Sequence, residues 1–121
     1  MVLVDTSVWI DHFRTDDEYL VSLLNTVQVL AHPFIIGELA CGNLQNRDEL
    51  LVLLQGLPQV TVALDREVLM FIEEHKLMGQ GIGYIDAHLL VAVALSRPIR
   101  LWTRDRSLAR MATDLDLHMR R

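Results

Sequence analysis

The 121-residue sequence predicts an α/β/α sandwich built around a four- to five-stranded parallel sheet. Three observations carry that expectation. Short runs rich in Val, Leu and Ile alternate with longer segments whose apolar residues recur at helical spacing, as in sheets linked by helical crossovers. With 51% hydrophobic residues and 22% charged ones, the chain has the apolar content of a packed core rather than of a disordered segment. Its length falls in the commonest range for one domain, and no repeat, low-complexity tract or long linker interrupts it, so residues 1–121 are expected to form a single domain.

The elements follow in order. Val2-Leu3-Val4 reads as a buried strand ending at Asp5-Thr6-Ser7, a cap signal for a helix carrying Val8, Trp9 and Phe13. Asp16 to Leu24 reads as a second helix, with Leu20, Leu23 and Leu24 at helical spacing. Val27 to Ala31 suits a strand, and Pro33 suits the first turn of a helix running to about Cys41, which Gly42-Asn43 ends. Asp48 to Gln55 is a leucine-rich helix closed by Gly56 and Pro58, and Val60-Thr61-Val62 is a third strand. Asp65 is expected to cap a helix to about Met78, with Val68, Leu69, Ile72 and Leu77 on its apolar side. After the glycines at 79, 81 and 83, Tyr84 to about Leu95 is a helix apolar almost all round, hence central and buried. Arg100 to Thr103 is a fourth strand, Asp105 to Ala112 a last helix, and Leu115 to Met119 a fifth, final strand.

Several classes of function are disfavoured. Cys41 is the single cysteine, so an intramolecular disulfide is impossible, and its simplest role is that of a small core residue. No run approaches the roughly 20 apolar residues of a membrane span, and the first residues lack the basic region of a secretory leader, so a soluble, cytoplasmic protein is expected. The histidines at 12, 32, 75, 88 and 118 form no HExxH, and His88, in an apolar helix, reads as a packing residue. No serine lies in a GxSxG elbow. The glycines at 79, 81 and 83 follow no strand, so they read as a loop that turns closely near Asp86 rather than as a nucleotide fingerprint.

Eleven basic against 16 acidic residues leave a net charge of −5, which by itself argues against a nucleic-acid partner. The distribution is uneven. Residues 1–96 carry 4 basic and 13 acidic side chains, whereas residues 97–121 carry 7 arginines and 3 aspartates. Arg104, Arg106 and Arg110 are either a solvated edge or a phosphate-holding one.

Four acids stand at telling places. Asp5 and Asp105 follow strands, on the rim where open parallel sheets bind ligands. Glu38 and Asp86 stand among apolar helical residues. Each has a structural explanation: Asp5 and Asp105 as caps, Asp86 as a favourable charge in a first helical turn, Glu38 on an outward face. The functional explanation is one cluster whose mutual repulsion a hard divalent cation, Mg²⁺ or Mn²⁺, would offset. Such a site activates water and stabilises the oxygens of a phosphodiester.

Taken in order, Val2-Leu3-Val4-Asp5-Thr6-Ser7-Val8-Trp9-Ile10, Ile36-Gly37-Glu38-Leu39, Asp86-Ala87-His88-Leu89-Leu90-Val91-Ala92 and Leu101-Trp102-Thr103-Arg104-Asp105 resemble the PIN-domain ribonucleases, specifically the VapC toxins of bacterial VapBC toxin–antitoxin pairs. The resemblance covers essentially the whole domain. It implies a Mg²⁺-dependent endoribonuclease, with Mn²⁺ able to substitute, acting on RNA and held in check by a VapB-type antitoxin. The family pattern places its acidic quartet on Asp5, Glu38, Asp86 and Asp105. Asp5 and Asp86 match the direct metal-ligand positions, Asp105 completes the metal site, and Glu38 positions water or a second metal. Thr6 and Thr103 match hydroxyls that orient these groups. His32 departs from the pattern, which more often has a small hydroxyl residue there. Arg104, Arg106 and Arg110 would lie along the RNA backbone. The apolar surplus of Leu50, Leu51, Leu53, Leu54, Leu57, Trp9 and Phe13 serves core packing or, as the resemblance favours, a homodimer contact and a groove for an antitoxin helix. The alternative is a PIN-like module that binds an antitoxin or RNA without catalysis.

Overall fold

A computed structural model describes residues 1–120 of the chain. Three strands, β1 (Val2–Val4), β2 (Val29–Leu30) and β3 (Arg100–Trp102), pair in the order β2-β1-β3, all parallel. In register, Val2 faces Val29 and Arg100, Leu3 faces Leu30 and Leu101, and Val4 faces Trp102. Parallel neighbours need crossover connections, and helices supply them. Between β1 and β2 lie α1 (Thr6–Arg14) and α2 (Glu18–Asn25). Between β2 and β3 lie α3 (Pro33–Ala40), α4 (Arg47–Gln55), α5 (Asp65–His75) and α6 (Tyr84–Leu95), and α7 (Arg106–Asp114) follows β3. Successive residues of β1 point to opposite faces, yet all three are buried, so the central strand is covered on both sides. The class is therefore the expected α/β one.

The sheet is smaller than expected. Val60-Thr61-Val62 is not a strand: a single parallel bridge joins Ala31 to Gln59, made by Ala31 N–H on the Pro58 carbonyl and Val60 N–H on the Ala31 carbonyl. Pro58 has no N–H to extend the ladder, and by Val62 the chain has turned to solvent with 42% of that residue exposed. Leu115 to Met119 likewise reduces to one bridge, Leu101 to His118. Asp116 adopts φ +57°, a left-handed conformation that breaks the extended run. Val27, at φ +54°, delays the start of β2 in the same way. The expected third and fifth strands are thus single bridges at the two edges, while the expected fourth is β3.

Most helix boundaries agree within a residue or two, α5 less so. Leu64 holds its cap position and Asp65 is its first helical residue, while the Glu67 carboxylate accepts the Leu64 N–H at 2.8 Å. The helix ends at His75 because Lys76 takes φ +53°; Leu77 is buried from the following turn, and Leu69 is 57% exposed rather than apolar-side. Helix α6 is buried from Ala87 through Val93, as its all-round apolar sequence requires. Cys41 caps the end of α3 on the surface, not in the core. Among the described residues, no helix is long and apolar enough to cross a membrane.

Candidate active site

Because β1 and β3 are parallel neighbours, the residues that follow them emerge side by side at the carboxyl rim. The Asp5 N–H continues the ladder by donating to the Trp102 carbonyl at 2.9 Å. The Asp5 side chain is 6% exposed and does not cap α1. Instead its Oδ2 accepts two hydroxyls, Thr103 Oγ1 at 2.7 Å and Ser7 Oγ at 2.8 Å. Charge-assisted bonds of this kind are about twice as strong as neutral ones and hold the carboxylate to one rotamer. Thr103 Oγ1 also accepts the Asp105 N–H at 3.1 Å, and Ser7 Oγ accepts the Arg104 N–H at 2.9 Å. Two hydroxyls thereby tie the turn after β1 to the turn after β3.

The other acids are held from separate elements. Asp105 caps α7, its Oδ1 accepting the Leu108 N–H at 3.0 Å. Glu38, on α3, accepts the Thr6 hydroxyl at 2.9 Å through Oε1. Asp86, on the first turn of α6, reaches back to the Gly83 N–H at 3.3 Å. Asp86 is half-buried, and its carboxyl is pushed above the ordinary value chiefly by burial. The charges of Asp5, Asp105 and Glu38 add to that rise, while the Gly83 bond opposes it. Asp86 therefore sits within reach of the charges of the other three acids.

They do not converge on a single point. Among the described residues, no three His, Cys, Asp or Glu side chains stand together as a ready metal cage. Each acid is instead held by its own hydrogen bond. The donor set nevertheless fits a hard ion. It is all oxygen, an ionised Asp86 is disfavoured by burial and by its acidic neighbours, and Mg²⁺ typically takes only one or two carboxylates plus waters.

The arginine edge is more occupied than its sequence implies. Arg104 lies over the Trp102 ring, 5.6 Å from its centre, and forks between Asp11 at 2.8 Å and Asp17. Burial acts to raise the Asp17 carboxyl, but the Leu20 N–H and Arg104 outweigh it and leave it below the usual value. Arg110 donates to the Gln80 carbonyl at 2.9 Å. Only Arg106 of the three makes no hydrogen bond or ion pair among the described residues.

Two groups were missed from sequence. Ser7 is as close to Asp5 as Thr103 is; its place in Asp5-Thr6-Ser7 was the available signal. The other is a buried histidine pair with ring centres 6.5 Å apart. His32 Nδ1 accepts the Phe34 N–H, capping α3, and burial followed by the neighbouring His88 pushes its pKa down to about 4. His88 Nε2 meets Asp65 Oδ1 at 3.1 Å, so the packing reading holds for its ring, while His88 Nδ1 and His32 Nε2 have no partner among the described residues.

A parallel sheet with carboxylates at its rim from four elements defines an acidic-site α/β domain, and the PIN domain family matches residues 2–114. The chain belongs to the PIN-domain family, in its VapC branch. It is 48% identical over 108 residues to Ribonuclease VapC32 from Mycobacterium tuberculosis strain CDC 1551 / Oshkosh, and equally to that of strain ATCC 25618 / H37Rv, covering 89% of this chain and 87% of each relative.

Proposed function

We propose that residues 1–121 act as one cytoplasmic nuclease domain, a Mg²⁺-dependent endoribonuclease that is the toxin of a type II toxin–antitoxin pair. The observation that carries this reading is the shared field at Asp86, to which Asp5, Glu38 and Asp105 all contribute from different elements. Relatives named as ribonucleases support the reaction class. Asp5 and Asp86 would hold the ion directly and Asp105 would complete the site, with Mn²⁺ able to replace Mg²⁺. When bound, the ion supplies an acidified water and charge stabilisation at the phosphodiester oxygens.

The chain's own residues do the rest. Thr103 and Ser7 keep Asp5 oriented. Thr6 holds Glu38, whose carboxylate would orient the attacking water or a second metal. Attack in line on phosphorus expels the 3′ oxygen of the preceding nucleotide, leaving a 5′-phosphate and a 3′-hydroxyl. Of the three arginines of this edge, Arg106 has the guanidinium to offer an RNA phosphate, with Arg104 and Arg110 beside it.

A VapB-type antitoxin would occupy the groove of about 830 Å³ between α1 and the α3–α4 region, where Trp9, Phe13, Leu24, Leu44, Leu50 and Leu53 form the apolar part of a mixed lining. An amphipathic helix would lay its apolar face there. A homodimer would cover further apolar surface such as Val52, 71% exposed.

One observation favours a second reading, a binding module without catalysis: each acid already has a hydrogen-bond partner, and among the described residues no three form a cage. Cleavage separates the two. Purified protein with Mg²⁺ should cut RNA, and Asp5→Asn or Asp86→Asn should abolish cutting. Cleavage undiminished in both variants overturns this site, and wild-type protein inert with Mg²⁺ and Mn²⁺ favours the binding module.

A further inference from the structure

The loop from Gly79 to Gly83 leads into α6, and its last N–H is the one bonded to Asp86 Oδ2. Its position therefore bears directly on that carboxylate. The loop is held from the opposite side by α7. Arg110 donates to the Gln80 carbonyl at 2.9 Å, and Gly81 packs so closely on Ser107 that a Cβ there would lie 2.9 Å from its Oγ. Gly81 also needs φ +81°, a conformation side chains disfavour. Gly79, at φ +70°, has the same backbone need but open space around it, so close approach singles out Gly81.

Ser107 and Arg110 stand three residues apart, on one face of α7. That helix begins at the Asp105 cap, and Asp105 is tied through Thr103 to Asp5. A continuous path thus runs from Asp5 through Thr103 and α7 to the loop and Asp86. We propose that Arg110 and Ser107 are positioning residues that clamp the Gly79–Gly83 loop and so set the Asp86 carboxylate relative to Asp5 and Asp105. The activity part of this inference rests on the nuclease reading above; the clamp itself does not. Arg110 on this account acts within the protein rather than on RNA.

The test compares full-length wild type with Arg110→Gln, Gly81→Ala and Gly79→Ala. Arg110 is exposed, so its variant keeps the fold. Misplacing a reacting group by about 1 Å costs on the order of 100-fold. Arg110→Gln should therefore lower kcat on an RNA oligonucleotide by about that factor, with KM and its salt dependence unchanged. The Gly83 amide should exchange faster with solvent in Arg110→Gln and Gly81→Ala, measured without metal. Gly81→Ala should lose more activity than Gly79→Ala, because only the former meets Ser107. A raised KM with a salt slope reduced by about one would make Arg110 a phosphate contact and overturn the clamp. Equal losses at Gly79 and Gly81 would also overturn it, as would unchanged Gly83 exchange in Arg110→Gln. If wild type cuts no RNA the nuclease reading fails, and the exchange measurement still decides the clamp.

Discussion

Protonation of His32 should make this fold acid-sensitive in a window set by that one ring. His32 is fully buried between Phe34 and His88, and its Nδ1 must stay unprotonated to accept the Phe34 N–H. Burial, with the His88 ring beside it, lowers its pKa from 6.5 to about 4. The folded state therefore binds this proton more weakly than the unfolded chain does. The stability it protects is intact above pH 6.5 and is lost as pH falls from there toward 4. At 1.36 kcal/mol per pKa unit, the loss reaches about 3 kcal/mol by pH 4, a large share of the stability of a domain this size. Other groups titrate in the same range, so the measurement is a double difference. Asn in place of His32 retains an acceptor for the Phe34 N–H but does not titrate. Urea unfolding of wild type and His32→Asn between pH 7 and pH 4 should show the two curves diverging below pH 6.5, the wild type falling faster. Parallel curves would refute the assignment of that sensitivity to His32.

Three further outcomes are expected. Mg²⁺ or Mn²⁺ should raise the melting temperature of wild type by mass action, by the equivalent of about 2.7 kcal/mol at 100 times Kd, and Asp5→Asn should remove the rise in a calorimetric scan. Without metal at neutral pH, Asp86→Asn should melt above wild type, because burial and the charges of Asp5, Asp105 and Glu38 all disfavour an ionised Asp86. Thr103→Val, nearly isosteric, removes the charge-assisted bond to Asp5; thermal or urea unfolding should register a loss of about 2 kcal/mol, and RNA cleavage should fall with it.

The fold was largely legible because its signals are local. Val2-Leu3-Val4 followed by a cap residue, Pro33 at the start of α3 and the uninterrupted apolar run of α6 each state their structure within a few residues. The errors share a cause. Val60-Thr61-Val62 and Leu115 to Met119 have strand composition, but strand formation needs a partner along the whole run, and Pro58 and the left-handed Asp116 leave each only one bridge. Leu69 follows the helical period of α5 yet faces solvent, since periodicity does not say which neighbours arrive.

The site divides the same way. Amino-acid order alone determined which four acids matter as candidates, because acids at strand ends and within apolar helices are anomalous wherever the chain goes. Tertiary structure decided how they are held. Parallel pairing of β1 with β3 brings Thr103 onto Asp5, 98 residues away, and makes Ser7 its second hydroxyl. It also turned Arg104 onto Asp11 and Asp17 and Arg110 onto the Gln80 carbonyl, leaving only Arg106 of the expected basic edge without a hydrogen bond or ion pair among the described residues. A side chain's chemistry is written in the sequence, but its partner is chosen by distance, and distance across the chain exists only after folding.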